Sequence, residues 1–120
     1  MPSHLIFKTS RAAISAVGRR TRRRRMEQLK TLMGLAPSLK ILDLGGRPEI
    51  WESIPEKLDI TILNLPGETG SSIPTHHDIK FVDGDACDAR QFPDQSFDLV
   101  FSNSVIEHVG PEERQAAFAR

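Results

Sequence analysis

From residue 41 onward the chain alternates short apolar runs with polar breaks, whereas the stretch before it carries a helical period. Met26, Leu29, Leu32, Met33 and Ala36 recur at steps of three and four, which predicts an amphipathic helix from Met26 that ends before Pro37. Ile41, Leu42 and Leu44 form an apolar run closed by Gly45-Gly46, and Pro48 to Ser53 predicts a short helix limited by Pro55, with Ile50, Trp51 and Ile54 free to pack. Asp59 to Asn64 is rich in β-branched residues and predicts a second strand. Leu65 to Asp78, with its prolines and glycines, predicts a loop, and Ile79 to Val82 a third strand. Phe97 to Phe101 is a near-continuous apolar run, as expected of a strand buried on both faces. Gly110-Pro111-Glu112-Glu113 opens a last helix, its acids favouring the positive end, that is expected to run to Arg120. This order predicts a parallel α/β sheet built by right-handed crossovers.

The chemistry concentrates at Asp43-Leu44-Gly45-Gly46. A buried strand that delivers its last carboxylate to a glycine turn is how an open α/β sheet builds a nucleoside site, the glycines letting main chain and ligand approach closely. A pyrophosphate-bearing dinucleotide fits poorly, because the G-x-G-x-x-G fingerprint is absent and Glu49 would repel it. The stretch resembles motif I of the class I S-adenosylmethionine-dependent methyltransferases, apolar-apolar-Asp-x-Gly-x-Gly. Asp43 and Gly45 match it, Arg47 and Glu49 stand where further glycines are usual, and Gly46 supplies part of the missing backbone freedom. Asn64 ends the second strand where the family places an acid on the ribose hydroxyls; its amide carbonyl can still accept one such bond. Strand, Gly84-Asp85-Ala86, a spacer, Phe92 to Val100 and then Glu107-His108-Val109 is similar in order and spacing to the family's later motifs.

The resemblance covers Met26 to Arg120 and implies a set of roles. Asp85 would accept from the adenine amino group and the Ala86 backbone would meet adenine N1, while Ser102 and Asn103 would lie beneath the transferable methyl. His108 has two readings, a general base for the acceptor or a structural side chain. The implied fold is a Rossmann-like parallel sheet of order 3-2-1-4 with flanking helices, four strands of a seven-stranded methyltransferase fold. The chain is expected to divide into two regions, a basic arm over 1–25 read from its charge and a partial S-adenosylmethionine-binding domain over 26–120 implied by the resemblance. The expected function is methyl transfer from S-adenosylmethionine to an unidentified acceptor, the chain being expected to be the cofactor-binding half of a longer enzyme. The alternative is a non-catalytic cofactor-binding or interaction module. In the implied order the fourth strand lies at an edge without Lys or Pro inside its run, so self-association through that edge is expected.

Composition narrows the setting. The chain of 120 residues can bury one modest core, and no apolar run approaches bilayer-spanning length. Its single Cys87 allows no internal disulfide, which points to a reducing, cytoplasmic compartment. Net charge is zero, yet the first 40 residues hold ten Lys and Arg against the one acid Glu27, leaving six basic and fifteen acidic residues for the rest. Arg19 to Arg25 is a run for nucleic acid phosphates, for an anionic membrane face, or, most commonly, a solvated helix face. The acid-free, serine-bearing start also allows a transit segment. His76-His77 lacks a third ligand at suitable spacing for a metal, and the four acids from Asp83 to Asp94 do not follow a calcium loop.

Overall fold

A computed structural model describes residues 3–67, 73–103 and 109–119, the first fifteen of these by backbone alone. A single helix, α1 (Ser3–Met33), leads into four parallel strands: β1 (Lys40–Leu44), β2 (Asp59–Asn64), β3 (Asp78–Asp83) and β4 (Leu99–Ser102). A 3-10 turn over Pro48–Trp51 follows β1, and a short helix, α2 (Glu112–Ala117), closes the described chain. The sheet order is β3-β2-β1-β4, the Rossmann-like order expected.

Side-chain alternation along the strands divides the core between two faces. On one face Ile41, Ile60 and Ile62, with Ile79, Phe81, Leu99 and Phe101, pack under Met26 and Leu35 of the α1 region and against Trp51, Ile54 and Leu58. On the other, Leu42, Leu44 and Leu63 meet Val82, Ala86, Phe92, Phe97 and Phe118. Asp43 has the parity of Ile41 and stands opposite Ile62 and Phe101 in the ladder, so the period of the strand carries a carboxylate into the first, apolar face.

Three sequence expectations are corrected. The helix preceding β1 ends at Met33 and not at Ala36: Gly34 takes φ 61° and the Leu35 N–H donates to the Lys30 carbonyl at 3.2 Å, a Schellman-type stop. That turn swings Leu35 into the core and leaves Leu32 and Met33 exposed, so the buried face is Met26, Leu29 and Leu35. β4 is covered on one face only. Leu99 and Phe101 pack inward, while Val100 is 52% exposed, because β4 is an edge strand and no described element lies over its second face. Phe97 lies before the strand and stacks edge-to-face on Phe92 at 5.2 Å. Finally, α2 stops at Ala117 and does not run to Arg120: the Ala119 N–H leaves the helix to donate to the Ala86 carbonyl at 2.7 Å, and Pro111 is the N-cap.

His77 joins the layers from within. It is buried, its Nδ1 accepts from the Leu58 N–H at 3.1 Å and its Nε2 donates to the Trp51 carbonyl at 2.7 Å, which fixes the tautomer. Both ring nitrogens serve the fold. Burial lowers its pKa below the ordinary histidine value.

Candidate active site

The candidate site is built at the carboxyl end of β1. Gly45 turns the chain with φ 72° and donates its N–H to the Leu63 carbonyl at 2.7 Å, so the turn is tied to the end of β2. Gly46 lies against the Asp43 carboxylate; a Cβ there would overlap Asp43 Oδ2, so no larger residue fits while Asp43 keeps its position. Asn64 completes the knot: its Nδ2 donates to the Gly46 carbonyl at 3.1 Å, leaving its Oδ1 as the acceptor.

Asp43 is fully buried, and one oxygen only is satisfied. Trp51 Nε1–H donates to Oδ2 at 2.7 Å, while Oδ1 has no hydrogen-bond partner among the described residues. Burial raises the Asp43 pKa to about 7, partly offset by the Trp51 hydrogen bond. Trp51 is itself set edge-on to Phe101 at 5.0 Å. Thus β1, the 3-10 turn and β4 share one packed corner.

An open cleft of about 840 Å³ lies over this corner, lined by Asp43, Gly45 and Gly46 with Arg47, Phe101 and Asn103. Its opposite wall is α1, which contributes Arg19, Arg22 and Arg23. Arg25 Nη1 donates to Asn103 Oδ1 at 2.9 Å and so ties α1 to the end of β4. The basic run therefore includes a cleft wall as well as a solvated face. The helical period carried that signal, since residues 19, 22 and 23 lie seven, four and three positions before the buried Met26.

The expected adenine end has a different environment. Arg114 Nη2 from α2 meets both oxygens of Asp85, at 2.9 and 2.7 Å, and the Cys87 N–H donates to Oδ1 at 2.9 Å. The Arg114 guanidinium beside it holds the Asp85 carboxyl below the usual carboxylate range. The Ala86 carbonyl accepts from Ala119, and Phe118 packs beside Ala86. Asp85 and Ala86 thus lie outside the lining of the cleft and in contact with the α2 segment. Ser102 is exposed and pairs with Leu44 in the β1–β4 ladder. His108 lies outside the described residues. Sequence reasoning missed Trp51 as the donor to Asp43 and Arg114 as the partner of Asp85; no local pattern links either pair.

A parallel sheet of order 3-2-1-4 with a glycine turn and a cleft at its carboxyl edge defines a Rossmann-like α/β fold. Residues 63–120, just under half of the chain, match the family model described as a methyltransferase domain, a similarity that supports the class I S-adenosylmethionine-dependent methyltransferase reading. The match begins at the end of β2, so Asn64, Asp85, Ala86, Ser102, Asn103 and His108 fall inside it and the glycine turn precedes it. No curated protein and no solved structure matches the chain. Among the described residues no helix is long and apolar enough to cross a membrane, and no cluster of three potential metal ligands occurs.

Proposed function

We propose that the chain binds S-adenosylmethionine at the carboxyl edge of β1 and transfers its methyl group to an acceptor. The observation that carries this reading is the pairing of a buried, half-satisfied Asp43 with the Gly45-Gly46 turn on the floor of an open cleft, in a chain whose second half matches a methyltransferase domain. The residues fit such a ligand. Oδ1 of Asp43 is an unmet acceptor, Oδ1 of Asn64 is the amide's accepting atom, and the turn offers main chain without side-chain obstruction at Gly45.

When bound, the cofactor supplies an electrophilic methyl on a sulfonium. The chain's task is then positioning, which can account for much of such a rate enhancement. Asp43 and the turn would hold the amino-acid end, Asn64 a ribose hydroxyl, and Asp85 with the Ala86 backbone the adenine edge. Ser102 and Asn103, at the end of β4, would border the methyl. His108 is the proposed base for the acceptor's proton. A reducing, cytoplasmic setting is proposed from the free thiol of Cys87.

Calorimetry tests the reading directly. S-adenosylhomocysteine should bind the 120-residue chain and a nicotinamide dinucleotide should not; the reverse preference would overturn it. For catalysis, His108→Ala should lower kcat while leaving S-adenosylhomocysteine affinity unchanged, and an equal loss in both would reassign His108 to the cofactor or the fold.

A further inference from the structure

The cleft wall presents a row of guanidinium groups to the glycine turn. Met26 is 2% exposed and fixes the rotation of α1, and from it Arg19, Arg22 and Arg23 fall within about 60° of the same helix direction. They therefore face the glycine turn, where Arg47 adds a fourth guanidinium. Arg20 and Arg24 point away from the cleft, although all five of these α1 arginines are exposed. Across the cleft the carboxylates are Glu49, Glu52 and the buried Asp43. Arg22, Arg23 and Arg47 have no ion-pair partner among the described residues.

The cofactor proposed above does not neutralise these three guanidinium groups. S-adenosylmethionine carries one carboxylate, one ammonium and one sulfonium at neutral pH, so its arrival adds positive charge. Arg22, Arg23 and Arg47, exposed around one open cleft with a cationic ligand in it, repel one another, and an anion that joins them relieves that repulsion. Arginine suits that task, since its planar fork matches carboxylate and phosphate oxygens.

We propose that the methyl acceptor carries an oxyanion, a carboxylate or a phosphate, which Arg22 and Arg23 of α1 and Arg47 of the glycine turn bind at the mouth of the cleft. The group anchors the acceptor above the end of β4, near Asn103, with α1 as its rigid support. This inference rests on the methyltransferase reading for the identity of the ligand, but the anion site itself is separable from it.

The test is calorimetry on the full chain saturated with S-adenosylhomocysteine, with inorganic pyrophosphate and succinate as separate probes. At least one probe should bind, and which one binds distinguishes a phosphate from a carboxylate acceptor. Arg22→Gln/Arg23→Gln should weaken that binding by about tenfold or more, as expected for lost charged hydrogen bonds. Arg20→Gln/Arg24→Gln, on the opposite helix face, should leave it within about twofold. Arg22→Lys/Arg23→Lys keeps the charge and should retain part of the affinity, which guards against a folding defect in the Gln pair. Binding of neither probe to a chain that binds S-adenosylhomocysteine would overturn the proposal. Equal weakening by both Gln pairs would also overturn it, since it signals diffuse attraction of the kind a nucleic acid would feel. Loss of S-adenosylhomocysteine in place of the probe would give these arginines to the cofactor and overturn it likewise. If S-adenosylhomocysteine fails to bind while the probe follows the predicted pattern, the anion site stands and the methyltransferase reading falls.

Discussion

Asp43 is the residue on which both stability and the proposed chemistry turn. Its carboxyl ionises at about 7 inside the protein against 3.8 in the open chain, because burial penalises the anion more than the single Trp51 hydrogen bond favours it. Between those values the folded state holds a proton that the unfolded state has released. Stability is therefore greatest at and below about pH 4 as far as this group is concerned, and is lost as pH rises toward 7, by up to about 4 kcal/mol. Asp43→Asn keeps the shape and an acceptor for Trp51 but cannot ionise. Denaturant unfolding should find the variant more stable than the parent at pH 8 and nearly equal to it at pH 4. A uniform loss at both values would mean that the carboxylate is stabilised by contacts other than Trp51. His77 works in the opposite sense: its pKa is lowered, so its contribution is full above about 6.5 and is lost as pH falls below that, when protonation breaks the bond from Leu58. Gly46→Ala is the sharpest steric test at this scale. The added methyl would overlap the Asp43 carboxylate, so either the turn or the buried Asp43 side chain must move; the variant should lose S-adenosylhomocysteine binding by calorimetry and unfold at lower denaturant than the parent.

Among the elements, β2 has the bounds expected from its β-branched residues, and β1, β3 and the glycine turn were legible because short apolar runs and breakers report backbone state directly. The faces were less so. The periodic apolar set of α1 marked Leu32 and Met33 as core, yet the stop at Gly34 removed them and recruited Leu35, a result of chain direction after the helix that a periodicity cannot carry. The site was legible where chain neighbours build it, as in Asp43-Leu44-Gly45-Gly46, and illegible where distant elements meet. Arg114 on Asp85 is the clearest case, with 29 positions between them. This contact has a measurable consequence. If Asp85 accepts from the adenine amino group, it must share or give up Arg114, and α2 must shift with it. Arg114→Gln should then tighten S-adenosylhomocysteine binding by several-fold, on the order of 1 kcal/mol, whereas weaker binding would show that Arg114 orients Asp85 for the ligand.

At the scale of the whole molecule the sheet is bounded by β3 and β4, and the two edges differ. β3 alternates exposed charged residues, Asp78, Lys80 and Asp83, with half-buried apolar ones, a composition that discourages further pairing. β4 offers Leu99, Val100 and Phe101 with no Lys or Pro within the strand, and Val100 is 52% exposed. Its inner face is committed to the core, so what remains for a partner is the row of edge N–H and C=O groups together with Val100. Arg25 reaches only Asn103, beyond the last residue of the strand, and so guards the end and not the edge. A polypeptide of these 120 residues should therefore self-associate through β4, giving a weight-average mass above 13.4 kDa in sedimentation at tens of micromolar. Val100→Lys places a charge on the exposed face of that edge without disturbing Leu99 or Phe101. It should shift the protein toward monomer while leaving the unfolding midpoint of the dilute protein nearly unchanged. A parent chain that sediments as a monomer at every concentration would show that β4 is covered and would overturn the expectation.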